Sequence, residues 1–241
     1  MQEPKHDKEK YNFQLERFIF FSDGVFAISI TLLIIEIKVP YLPNPTDNLL
    51  WHSLSEMALG FLGFIISFGI VGHYWSVHHR IFGYVVKYSS SLVWLNLGFL
   101  FTVVMLPFSS GLLGEYSSYT NMKIPYAVYT FNMCLTGIMN YWLWIYVSNP
   151  KRHMLSRDIS KARIKLGVYR SLVIPVIFVI SLLGFFIFPV FSRYLLLLIP
   201  IILHWGMGSL EKRAERDEAE TRKIISRSAA VSTGENTTTN Q

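Results

Sequence analysis

The chain has 241 residues, of which 51% are hydrophobic and only 16% charged, with a formal net charge of +6. Soluble domains hold about 25% charged residues, so this composition and its apolar runs exclude an ordinary soluble globule and point to a multi-pass membrane protein. The single cysteine, Cys134, excludes an intrachain disulfide and reads as a small apolar core residue.

Residues 1–11 are polar and carry both signs, a lead-in without the features of a cleavable signal. Helix one is expected from about Phe13 to Val39, stopped by Pro40, Pro43 and Pro45. Its apolar run has the ~20 residues that a bilayer core requires. Near the start of that run stand Ser22 and Asp23. A carboxylate at membrane depth costs about 2.5–3.5 kcal/mol on insertion scales. Asp23 is therefore a functional-site candidate, unless it sits shallow among headgroup water.

Helix two centres on Met57 to Val71 and carries Gly60, Gly63, Gly69 and Gly72, small residues that let helices approach closely in lipid. It continues into the half-polar HYWSVHHRIFGYVVK stretch, which is expected to leave the hydrocarbon. Helix three spans about Leu92 to Leu113, with Pro107 near its far end, and helix four about Ile124 to Val147. Helix five runs from about Leu166 to Phe188 and helix six from Tyr194 to about Leu210. The expected organisation is thus a polar segment 1–11, a six-helix domain 12–210 and a charged tail 211–241 whose end is rich in Ser, Thr and Asn.

Six spans put both termini on one side. That side collects Lys5, Lys8, Lys10 and Arg17, then Arg80 and Lys87, then the basic stretch from Lys151 to Arg170, then Lys212, Arg213, Arg216, Arg222, Lys223 and Arg227. Only Lys38, Lys123 and Arg193 of the 22 basic residues fall on the other. By the positive-inside rule both termini are cytoplasmic. The excess charge is a topology signal rather than a nucleic-acid footprint.

Topology assigns depth. Arg17, Phe21, Ser22 and Asp23 lie at the cytoplasmic end of helix one. Trp75, His78, His79 and Arg80 lie at that end of helix two, and Trp94 and Asn96 at that end of helix three. A buried carboxylate needs donors, which an imidazole, an indole and an amide supply. These residues form either a polar cluster pinning the three helices or, for Trp75 and Trp94, an interfacial aromatic belt. His78 and His79 are adjacent and diverge by about 100° on a helix, which disfavours a metal or haem site. Asn132, Thr136 and Asn140 share one face of helix four, suited to a water-lined path or, more simply, to interhelical hydrogen bonds. Phosphate-loop, nucleophile-elbow and zinc-protease motifs are missing, which argues against an enzyme, and so is the T-V-G-Y-G filter of ordinary potassium channels.

The pattern R-x-x-x-F-S-D at Arg17, Phe21, Ser22 and Asp23, with Gly24 to Ile28 and Thr31 to Leu33 after it, resembles the first helix of the transmembrane protein 175 family, endosomal and lysosomal potassium channels with prokaryotic relatives. His78-His79-Arg80 after Tyr74-Trp75, the L-V-W-L-N-L run holding Trp94 and Asn96, and Leu106-Pro107-Phe108 extend the resemblance through helices two and three. It implies an all-α tetrameric channel of six-helix subunits in a prokaryotic plasma membrane, conducting potassium without a cofactor. It further implies that Ile28, Thr31, Leu32 and Ile35 of helix one line a central pore. A secondary transporter and a non-conducting membrane scaffold are the alternatives.

Overall fold

The computed structural model describes residues 5–116, 119, 122–156, 159–188, 195, 198, 199, 202, 208, 210–220 and 223. Among them the chain is helical, without strands. Helix one becomes α1, Lys5–Ile35, starting earlier than the apolar run because the Lys- and Glu-rich lead-in is itself a good helix former. It stops at Ile35, where Ile37 N–H closes back on the Ile34 carbonyl (3.1 Å) ahead of the three prolines.

Helix two divides. A short helix α2, Asp47–Glu56, starts at Thr46, whose hydroxyl accepts from Leu49 N–H, and α3, Ala58–Gly83, follows after a single residue, Met57. Helix three also divides, into α4, Ser90–Val104, and α5, Leu106–Glu115. Pro107 cannot donate to the Val103 carbonyl, and the turn at Met105 takes up the break. Helix four is α6, Ile124–Ser148. Helix five is α7, Lys161–Phe185, so the last part of the basic stretch is helical, capped by Ser160 accepting from Arg163 N–H. Residues 210–220 are helical as well. The expected helix six lies outside the described residues, apart from isolated positions.

Among the described residues, four stretches have the length and apolarity of a span: Phe13–Ile35, Gly60–Gly83, Ser90–Glu115 and Lys161–Phe185. α6 has the length, but its Asn, Tyr and Trp residues set it apart from these four. The reason is its position. It packs on α7, α4 and α5, and buries Tyr126, Tyr129, Asn132, Thr136, Asn140 and Trp144 inside the bundle. On the polar face of α6, Thr136 donates within the helix to the Asn132 carbonyl (2.9 Å), and two hydrogen bonds run between helices, Asn132 to Ser109 (2.9 Å) and Asn140 to Ser171 (2.8 Å). Each such bond contributes roughly 0.6 kcal/mol in lipid. The simpler of the two readings of that face therefore describes it.

The connections sort into two ends. At one, Val86 N–H donates to the Met154 carbonyl (2.8 Å) and Ser156 N–H to the Tyr84 carbonyl (3.0 Å), joining the loops after α3 and α6. Arg80, Arg163 and Arg170 lie at the same end, paired with Glu211 and Glu218. At the other, Lys38 pairs with Glu115 (3.2 Å) beside a cavity of about 360 Å³ edged by Glu36, Glu56 and Phe61.

Candidate pore helix and its latch

α1 has two faces. Phe18, Ser22, Phe26, Ser29 and Leu33 are buried, spaced by four, four, three and four residues, which is one helical stripe. This stripe packs on α3, α4 and α5. The opposite face carries Ile28, Thr31, Leu32 and Ile35, and Ile28 and Ile35 are 61% and 69% exposed. The Thr31 hydroxyl donates within its own helix, to the carbonyls of Ala27 (3.1 Å) and Ile28 (2.9 Å). Its oxygen remains free to accept, and the residue is exposed.

The polar residues of α1 meet α3 and α4 in two contacts. Trp75 Nε1 donates to Asp23 Oδ1 at 2.9 Å. One turn further along α3, His78 Nε2 lies 2.7 Å from Asn96 Oδ1, and Asn96 Nδ2 donates to Ser22 Oγ at 2.9 Å. Ser22 in turn donates to the Phe18 carbonyl (3.0 Å). The direction of each bond follows from the donors present. The amide nitrogen of Asn96 is committed to Ser22, so its oxygen must accept, and His78 must carry its proton on Nε2. Ser22, His78 and Asn96 are fully buried. The His78 ring stacks on Phe99 (centroids 5.6 Å apart, 9° between planes) and lies against Phe82 and Phe26. The aromatic wall excludes water, and a hydrogen bond in such surroundings is costly to lose.

Not every residue expected in the cluster joins it. Arg17 lies over the Phe13 ring, 5.7 Å from its centroid. It stands six residues from Asp23, about 9 Å of helix rise, too far for an ion pair. Phe21 is 53% exposed, one position round from Ser22. Trp94 is 75% exposed because it precedes Asn96 by two, and such residues point to opposite sides of a helix. His79 touches the latch only by stacking on Trp75 (5.7 Å). The sequence reading missed the second polar layer, where Ser67 Oγ lies 2.8 Å from both Tyr129 Oη and Ser110 Oγ. A serine in a glycine-rich helix gives no signal of such a contact.

The fold and this site define a multi-pass helical membrane protein. Its first helix is latched by one face to the body of the chain and leaves an aliphatic face with one hydroxyl open. The sequence profile described as endosomal/lysosomal potassium channel TMEM175 matches residues 17–107, the region holding the latch and the open face. Over those residues the chain is similar to the TMEM175 family. A potassium channel of Streptomyces collinus is 38% identical over 125 residues, covering 52% of this chain and 60% of that protein. A potassium channel of Chamaesiphon minutus is 35% identical over 132 residues, covering 55% and 65%. The alignments thus span under two thirds of these relatives' length. In structure, the chain is similar to the crystal structure of a lysosomal potassium-selective channel TMEM175 homolog from Chamaesiphon minutus, with a TM-score of 0.66 and 26% identity over 81% of this chain and 98% of that one.

Proposed function

We propose that the protein is a potassium-selective cation channel in which α1 lines a central pore. The carrying observation is the two-faced α1: a buried stripe from Phe18 to Leu33, and opposite it Ile28, Thr31, Leu32 and Ile35, which are exposed among the described residues. In a four-fold assembly of six-helix subunits, each of these positions becomes a ring of four side chains. Rings of Ile28, Leu32 and Ile35 form an apolar constriction that closes by dewetting and opens by widening. They offer no oxygen ligands, so potassium passes at least partly hydrated. Thr31 is the one position among the four where oxygen can approach the ion. The bacterial relatives named as potassium channels support the ion assignment.

In this reading the latch of Ser22, Asp23, Trp75, His78 and Asn96 holds α1 at a fixed angle. The ring positions then stay in register. Arg17, Phe21, His79 and Trp94 border it at the headgroup level. Both termini face the cytoplasm by the distribution of basic residues, and the membrane is the plasma membrane of a prokaryote. The partners are three further copies of the chain, potassium and lipid.

The test is purified protein in liposomes under opposed potassium and sodium gradients. A channel gives passive flux with a reversal potential set mainly by potassium. Flux bounded by a counter-substrate marks a transporter, and no flux at any gradient marks a scaffold; either overturns the proposal.

A further inference from the structure

The buried charges outside the latch gather in one place. Arg163 Nε and Nη2 donate to the two carboxylate oxygens of Glu218, each at 2.9 Å, and both residues are buried. Ala214, fully buried, packs against Leu166 of α7. Glu211 Oε1 accepts from Arg170 Nη2 at 2.9 Å and from Arg80 Nη1 at 3.2 Å. Positions 163, 166 and 170 form one stripe of α7, and 218, 214 and 211 form one stripe of the helical segment 210–220. The two stripes run in opposite directions and match position for position.

Glu211 does something that Glu218 does not. Arg170 belongs to α7 and Arg80 to α3, two helices that barely pack on each other. A single carboxylate of the C-terminal segment therefore ties them together. Arg80 sits two residues after His78 and five after Trp75, the α3 side of the α1 latch. The Arg163–Glu218 pair is sealed, whereas Arg80 and Glu211 keep 36% and 35% of their side-chain surface exposed. Mobile ions screen an exposed bridge and scarcely affect a buried one.

We propose that segment 211–218 is a two-part clasp on α7. Its Arg163–Glu218 half anchors the segment, and its Glu211 half is a salt-sensitive restraint that positions α3 and, through the latch, α1. Glu211 is thus a positioning residue for the pore helix. The flux part of its test rests on the channel reading given above, and the exchange part does not.

The experiment compares the parent chain with Glu211→Gln and Arg80→Gln in liposomes and in detergent. Backbone hydrogen exchange at 74–83 and 18–26 is expected to quicken at least threefold in both variants. Trypsin cleavage after Lys212, Arg213 and Arg216 stays slow, because the anchor holds. Potassium flux at fixed potassium is expected to rise at least threefold when N-methylglucamine chloride is added to the parent. In Glu211→Gln it is already high and no longer responds. Parental exchange and parental salt response in Glu211→Gln would overturn the proposal. If no form of the protein carries flux, the channel reading fails and the exchange data alone decide. If Glu211→Gln does not fold, Arg80→Gln, which leaves the Arg170–Glu211 pair in place, decides in the same way.

Discussion

Trp75 donates its indole N–H to the carboxylate of Asp23 across 2.9 Å, and this contact ties the outer edge of α3 to α1. The two partners respond unequally to substitution. Asp23→Asn keeps an acceptor oxygen where Trp75 needs one and is expected to cost less than about 1 kcal/mol. Trp75→Phe strands the carboxylate and is expected to cost about 1–3 kcal/mol. Thermal unfolding in detergent, with gel filtration of the assembled protein, measures both.

The buried half of the latch is more demanding. Asn96→Leu removes the residue that serves both His78 and Ser22: the buried His78 Nε2–H loses its acceptor, at about 1–3 kcal/mol, and Ser22 loses a donor while keeping its bond to the Phe18 carbonyl. Ser22→Ala removes only the terminal member and leaves the His78–Asn96 bond in place. The expected order of unfolding midpoints is parent, Ser22→Ala, Asn96→Leu.

On the open face of α1, Ile28→Ala and Leu32→Ala are expected to widen the constriction, raising conductance and lowering potassium preference. Thr31→Val keeps the shape and loses the hydroxyl, which donates only to its own helix. It is expected to lower the potassium-to-sodium ratio without altering assembly. Reversal potentials in mixed potassium and sodium report both effects. Parental values in all three variants would remove α1 from the pore.

Close packing of α6 on α7 rests on two glycines. A Cβ on Gly137 would overlap the Pro175 ring, and one on Gly167 would overlap the Trp144 indole, whereas Gly69 has open space around it within the chain. Gly137→Ala and Gly167→Ala are each expected to cost about 1–3 kcal/mol through overpacking. Gly69→Ala is expected to unfold at or slightly above the parental midpoint, since alanine favours helix by up to about 1 kcal/mol.

The hydrogen bond from Arg170 is the main cause holding the Glu211 carboxyl below its ordinary range. Arg80 and Arg163 act in the same direction, against the partial burial that opposes them. For a carboxylate whose folded pKa is depressed, the stabilisation is present above the unfolded pKa and is lost as pH falls through the folded one. Glu211 therefore stays ionised from pH 8 to pH 5, and its bridge weakens only below about pH 4.5, the ordinary value. Hydrogen exchange at 74–83 as a function of pH checks this. Faster exchange already at pH 6, beyond the intrinsic rate change, would contradict it.

That the chain is a set of long apolar helices, and which polar residues share a level along them, was legible in the sequence because apolar runs and proline breaks are local signals. Ser22, Asp23, Trp75, His78 and Asn96 could be grouped by depth alone. Azimuth could not be read with the same ease. Trp94 and Asn96 lie at nearly one depth, yet only Asn96 reaches α1, and the difference is the 200° of helix between them. The breaks at Met57 and Met105 leave the hydrophobic pattern intact and so escaped notice. The pairing of Arg163 with Glu218 joins residues 55 apart, and no periodicity of either segment announces it.

The chain of bonds from His78 through Asn96 and Ser22 to the Phe18 carbonyl also bears on what it cannot carry. Proton hopping along a wire requires every member to accept on one side and release on the other, then to turn over for the next passage. An amide holds its nitrogen-bound hydrogens, and a peptide carbonyl at the end of the line has nowhere to pass a proton on. The relay is therefore a strut and not a conductor. In the proposed channel a proton therefore cannot cross by way of this relay, and the latch contributes rigidity without opening a second conducting route of its own.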